Sequence, residues 1–473
     1  MRAAPAVTVA AVASPPPPPI PPLPVVPELS VADVAASVVV ASPVHASRAS
    51  NLMTAAEMAL EKALRVEQSF LREPPPPSRP TTPTIASMEG EEEEEAFAED
   101  AEGVGSIGAA RTPLPRDVAP ASTFMSMAPI GSVEAMREGL AMGASAFAGQ
   151  CKIAESRASL GASERAAMFR EGAAMVLCAG MAQYRTSPAA QVAALNCIRA
   201  LATLSVGKDN CAELVSAGAI AMVVAALEAH GRNGDVQEVG CRTLLRFVLE
   251  PGSAARIVAA GGVSVIVAGM WAHAGACGMQ EHGCWMLRNL AVDPANQAVV
   301  AAAGGIEAVV AAMHAHGASA PVLKAACQAL WSLAVDPANQ AAVGRAGGVE
   351  AIADALRAHP GNARLQESGC GALWNAACNA ANALRAVHAG AVEALAEALL
   401  RHPSDAGVQW RACGAHAVLA SSGRPEILRR QREAGVPSLA RAALARFPSN
   451  EALQHEAKAA LERASRVVLA GME

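Results

Sequence analysis

Aromatic side chains are scarce in this chain of 473 residues: they make up 3%, with one tyrosine, seven phenylalanines and five tryptophans. A core filled by large rings is therefore excluded, and with 52% hydrophobic residues, much of them alanine, the apolar material is small. Alanine is the strongest helix former and lets neighbouring helices approach closely. Long apolar runs are missing too: Gly, His or charge breaks every stretch before the roughly 18 residues that a bilayer span needs, and a soluble chain is expected. There is no broad basic field. Net charge is −6, and nucleic acid as a partner has no electrostatic support. No Ser/His/Asp or Cys/His constellation, phosphate loop or paired-carboxylate motif stands out, so nothing points to an enzyme or to a bound cofactor or metal.

What is present is a repeat. Cys197, Cys241, Cys284, Cys327, Cys370 and Cys413 follow one another at intervals of 44 residues once and 43 thereafter. The surrounding text repeats as well, with Val-Gln-Glu-Val-Gly-Cys ending at Cys241, Met-Gln-Glu-His-Gly-Cys at Cys284 and Leu-Gln-Glu-Ser-Gly-Cys at Cys370. An Ala-Gly step keeps the same beat at Gly218, Gly261, Gly304, Gly347 and Gly390, preceded by Asn210, Asn296, Asn339 and Asn382. A period of this length marks a stacked helical solenoid, in which no unit buries its apolar face without its neighbours.

Residues 1–130 form a different text. Pro15 to Pro19 with Pro21, Pro22 and Pro24, and again Pro74 to Pro77, read as polyproline II, and the run Glu91 to Glu95 repels itself. This tail carries eight Lys and Arg against sixteen Asp and Glu, leaving the remainder near neutral at 29 against 27. It is expected to be disordered apart from one helix near 54–72, opened by a Thr54/Glu57 capping box and stopped at Pro74. Its proline runs fit SH3- or profilin-type domains, with linker as the plainer reading, and Thr82-Pro83 and Thr112-Pro113 fit proline-directed phosphorylation.

Residues 131–206 are expected to hold one entry helix, Val133 to Phe147, and an incomplete first repeat. About six units then fill 207–466, the last atypical and polar, with Lys458 near the cysteine position. Each unit reads as a short helix opened by a cap and a first-turn proline (Asp293-Pro294, Asp336-Pro337), a glycine turn, a second helix, and a long third helix carrying the cysteine.

Asn-x₇-Gly-(Gly/Ala)-(Ile/Val) followed by Ala-Leu-Trp-x-Leu-Ala resembles the armadillo repeat, in the Gln-Glu-x-Gly-Cys form found in protist and algal armadillo arrays and in the armadillo domain of leucine-rich-repeat kinases. The resemblance covers about Phe169 to Leu461. It implies an all-α, right-handed solenoid of three-helix units that binds protein segments on its concave wall. In importin-α-like arrays third helices carry a Trp and an Asn four residues apart. Here only Trp285 and Asn289 keep that pair, so binding of nuclear signals is not implied, and no kinase motif accompanies the array.

Two ladders and a tryptophan set are the candidate features. The cysteine column reads as small buried packing residues rather than zinc ligands, since repeat spacing keeps the thiols apart. Adjacent helices about 8–10 Å apart also keep it from disulfide pairing, which implies reduced thiols and a cytoplasmic or nuclear setting; an organelle-targeting segment at Met1-Arg2 is the minor alternative. His230, His273, His316, His359 and His402, each 43 residues apart, read as caps of second helices, with a pH-responsive edge as the sharper alternative. Trp285, Trp331 and Trp374, with Arg242, Arg246, Arg288, Asn289, Gln328, Ser332 and Asn375, are the candidate partner-binding residues on third helices, set against core packing as the bland reading. Trp410 falls at a different helical phase. The expected function is a non-enzymatic interaction scaffold for extended or helical segments of other proteins. A membrane or organelle adaptor resembling vacuolar armadillo proteins is the alternative, though Met1-Arg2 excludes myristoylation and the C-terminus has no prenyl box; a regulatory subunit of an enzyme complex is a further one.

Overall fold

In the computed structural model, residues 132–202 and 210–465 are described. The tail expectations, including the helix near 54–72 and the proline and glutamate runs, lie outside them. Among the described residues there are 23 helices and no strand. After two opening helices, the other 21 form seven triplets whose third helices are Pro188–Leu201, Gly234–Phe247, Cys277–Leu290, Ala320–Leu333, Ala363–Ala376, Ala406–Ser421 and Glu451–Ser465. We number these units 1 to 7. Third helices stack on third helices and second helices on second helices along the whole series, which makes the described residues an all-α solenoid of three-helix units.

Local chemistry sets each triplet. Asp293, Asp336 and Asn379 accept hydrogen bonds from first-turn amides and so start the first helices of units 4, 5 and 6. Glycine then turns the chain: Gly218, Gly261, Gly304 and Gly347 adopt φ of 90°, 81°, 81° and 82°, a left-handed conformation that a side chain resists. First and second helices consequently meet at bends of 67°, 72° and 70° in units 2, 3 and 4. The Asn column is the glue behind this turn. Asn382 Nδ2 donates to Ala376 O of the preceding third helix (3.0 Å) and to Gln340 O of the preceding first helix (2.6 Å).

The Gln-Glu-x-Gly-Cys motif is a structural device. Its Gln is buried and its Nε2 donates to two carbonyls at the end of the second helix, as Gln280 does to Met270 O (2.8 Å) and His273 O (3.0 Å) and Gln366 to Leu356 O (2.8 Å) and His359 O (3.0 Å). Met270 O and Leu356 O lie past the last intrahelical donor, and the amide supplies one; His273 O and His359 O also accept the turn amides of Ala276 and Asn362. The Gly admits the second helix: a Cβ on Gly369 would lie 2.7 Å from Leu356 Cδ2. The Cys fills the space between successive third helices, where burial pushes the Cys241, Cys327 and Cys413 thiols up to about 12. All eleven cysteines are free.

Three expectations need correction. Val133 to Phe147 is two helices, Val133–Met142 and Ala144–Ala158, broken at Gly143 with φ 127°; they pack on the second and third helices of unit 1. The segment expected as an incomplete first repeat contains all three helices, Ala162–Arg170, Ala173–Gln183 and Pro188–Leu201. Cys197 is not in the cysteine column. Gln191 makes the clamp in unit 1, to Met181 O and Tyr184 O, so Leu195 stands in the column and Cys197 two residues beyond it. Clamp residues Gln191 and Gln237 are 46 apart instead of 43, and the late cysteine hides most of that insertion. In the last described unit Gln454 repeats the clamp, and Lys458, at the column position, is exposed.

No single described helix is long and apolar enough to cross a membrane.

Candidate functional site: the third-helix face

The ten residues singled out on third helices lie on units 2 to 5, and the structure separates them by depth. Trp285 and Gln328 are buried, at 4% and 3% exposure, and belong to the packing between units rather than to an open face. Both stand one residue after the column cysteine, a position that is half-exposed in unit 2, where Arg242 holds it. Arg242, Arg246, Arg288, Asn289, Trp331, Ser332, Trp374 and Asn375 are half-exposed. Arg288 Nη1 donates to Asn289 Oδ1 at 2.6 Å, and Asn375 Nδ2 donates to Trp331 O at 3.0 Å, so both amides are oriented by their neighbours.

Trp331 and Trp374 are seated by glycine. A Cβ on Gly371 would stand 2.9 Å from Trp331 Cδ2, and one on Gly414 2.6 Å from Trp374 Cε3. Each ring therefore lies across the third helix of the next unit, with one face packed and the rest exposed. Trp410, despite its different phase, joins them: its ring meets Trp374 edge-on at 5.9 Å and 85°. Arg411 completes the cluster. Its guanidinium lies 4.5 Å from the Trp331 ring and 5.2 Å from the Trp410 ring and is ion-paired with Glu367, both side chains being largely buried. Lys324 Nζ stands over the Trp285 ring at 5.5 Å.

The face thus has two characters. Units 1 to 3 present Arg199, Arg242, Arg246 and Arg288; units 4 to 6 present an aromatic cluster around the Arg411–Glu367 ion pair. Guanidinium groups in a row suit carboxylates, which they bind through paired N–H donors, and half-exposed indoles suit an apolar side chain. The fifth tryptophan, Trp271, is 51% exposed on a second helix, away from this face.

Sequence reasoning missed Trp410, Arg411 and Glu367 as members of the cluster, since they come from different units and only stacking unites them. It also missed the use of the histidine ladder. Each ring does follow the end of a second helix, but its Nε2 bonds a carbonyl of the previous unit: His273 to Gly231 O (3.0 Å), His316 to Ala274 O (2.8 Å), His359 to Gly317 O (3.1 Å) and His402 to Pro360 O (2.8 Å). With a carbonyl as acceptor, Nε2 carries the proton. The ladder stitches units together along one edge.

Among the described residues no group of three or more His, Cys, Asp or Glu could hold a metal ion.

No protein-family model matches the chain, and no curated protein is found similar to it. Solved structures are. A designed armadillo repeat protein in complex with the peptide (KR)4 is similar at 20% identity and a TM-score of 0.44, over 52% of this chain and 99% of that one. A structure from work on a conserved phosphorylation switch in the interaction between cadherin and beta-catenin is similar at 16% identity and a TM-score of 0.48, over 71% of this chain and 76% of that one. At such identities a likeness concerns fold alone.

Proposed function

We propose that this chain is a non-enzymatic scaffold that binds an extended, acidic segment of another protein along the third-helix face. The carrying observation is the row Arg199, Arg242, Arg246 and Arg288 leading to half-exposed Trp331 and Trp374. Carboxylates of the segment pair with the arginines, and an apolar residue further along rests on the indoles. The tail, with its proline runs, is a second contact for SH3- or profilin-type domains in this reading. Eleven free thiols fit a reducing setting, cytoplasmic or nuclear.

The designed neighbour is recorded with a basic peptide, (KR)4; the opposite preference is expected here. Fluorescence anisotropy of labelled (DE)4 and (KR)4 octapeptides with the full chain tests it. Tighter binding of the acidic peptide, weakened by added salt and lost on R242E/R288E, supports the reading. Equal binding of both peptides, or no effect of the double charge reversal, overturns it.

A further inference from the structure

Nine of the eleven cysteines are buried, and burial raises the thiol pKa of the column residues. Two are exposed, and they differ. Cys378 Sγ donates to the backbone oxygen of Trp374 at 3.6 Å, and partial burial raises its pKa. Cys277 instead meets a base. Its Sγ lies 3.2 Å from Nδ1 of His316 in the next unit. His316 Nε2 is tied to Ala274 O at 2.8 Å, so its proton is on Nε2 and Nδ1 presents a lone pair to the thiol. The tautomer that the ladder imposes is the one that accepts a thiol proton.

The setting follows from the repeat. The first residue of a third helix can face the ladder histidine of the following unit, as the approach of His273 Nδ1 to within 3.7 Å of a Cβ built on Gly234 shows for unit 2. Units 2, 4, 5 and 6 place Gly234, Ala320, Ala363 and Ala406 there, and unit 3 alone among these places a cysteine. Cys277 also opens a helix of 14 residues whose cap, Ala276, has no side-chain hydrogen bond, so the first-turn amides face the sulfur's end of the helix.

We propose that Cys277 is a thiol modification site, with His316 as its proton acceptor, that exchanges with a small disulfide. The thiol proton passes to His316 Nδ1, and the Cys277 thiolate attacks one sulfur of the reagent. A new S–S bond forms on Cys277 while the reagent's S–S bond breaks, and the departing thiolate takes up the proton. One disulfide is consumed and one is made. The surrounding charge selects the reagent. Asp235 and Glu238 lie on the first turns of the preceding third helix, a Cβ on Gly278 would lie 2.7 Å from the Glu238 carboxylate, and Glu281 is one turn on; the following third helix begins with uncharged Ala320. A cationic disulfide is favoured over an anionic one.

The full chain is treated with cystamine or with oxidised glutathione at neutral pH, and the first adduct is located by peptide mass mapping over time. Expected are first addition at Cys277, faster with cystamine, and a rate about tenfold lower in His316→Gln, whose amide still donates to Ala274 O, with no change in His359→Gln, a ladder position facing no cysteine. First addition at Cys378, or equal rates in His316→Gln and the wild type, overturns the proposal. If His316→Gln melts early, Cys277→Ser decides: loss of the fast adduct supports the assignment, and its persistence refutes it.

Discussion

Arg411 reaches Trp331 across two units. The guanidinium sits 4.5 Å from the ring, passing over the third helix that lies between them at the point where Gly371 has no side chain. The contact joins residues eighty positions apart in sequence through one absent Cβ, and Glu367 on the intervening helix holds the charge in place.

Removing either end of this bridge should therefore cost more than the sum of local packing suggests. A double-mutant cycle of Trp331→Leu and Arg411→Met is expected to return a coupling of about 0.5–2 kcal/mol, the range of a partly desolvated cation on an indole. Thermal unfolding of the four proteins measures it; additive losses would show that the two side chains are neighbours without energetic contact.

Gly414 makes the same argument by steric means. Gly414→Ala sets a Cβ 2.6 Å from the Trp374 ring, a distance that forces the indole to move. A loss of about 1–3 kcal/mol is expected from overpacking, along with a change in tryptophan fluorescence. An unchanged spectrum would mean that the ring is not seated there.

The glutamine clamp yields a prediction with an internal control. Gln366→Leu strands the carbonyl of Leu356, while His359 O keeps the Asn362 amide as a donor; the cost of stranding a buried acceptor is about 1–3 kcal/mol. Unit 4 carries Leu323 at the equivalent position. The loss is accordingly expected near the lower end, and Leu323→Gln should raise the melting temperature by supplying a donor to Met313 O and a second one to His316 O, which already accepts from the Ser319 amide. A fall in stability for Leu323→Gln would refute the clamp as a source of stability.

His416 gives the array an acid limit. The side chain is fully buried in unit 6, beside Gln431, and burial lowers its pKa from 6.5 to about 3. The folded state keeps it neutral while the unfolded chain protonates it below about pH 6.5. Its contribution is therefore whole above that pH and declines by about 1.4 kcal/mol per pH unit as pH falls toward 3. Melting temperatures of the wild type and His416→Leu are followed from pH 7 to pH 4, and the wild type should fall relative to the variant as it loses this increment; parallel curves would exclude His416 as the titrating group.

The fold was legible because its signals are local. Asp293-Pro294 and Gly304 each act within one turn of chain, and repetition multiplies them. Where an insertion fell between units, the same reading slipped: the late Cys197 masked two of three added residues, and the Gln191 clamp reveals Leu195 as the column residue. The face was less legible still. Whether Trp285 points into the stack or Trp331 onto the surface depends on one helical turn, and the Arg411, Glu367 and Trp410 cluster and the Cys277–His316 pair exist only once units are stacked.

The most direct test of the binding face is Trp331→Ala with Trp374→Ala in one chain, with acidic-peptide affinity and the thermal melt measured on the same preparation. The account predicts affinity lost by about tenfold or more, as for central interface aromatics, with helical content kept at working temperature. Affinity and helicity falling together would contradict it and show the indoles to be core.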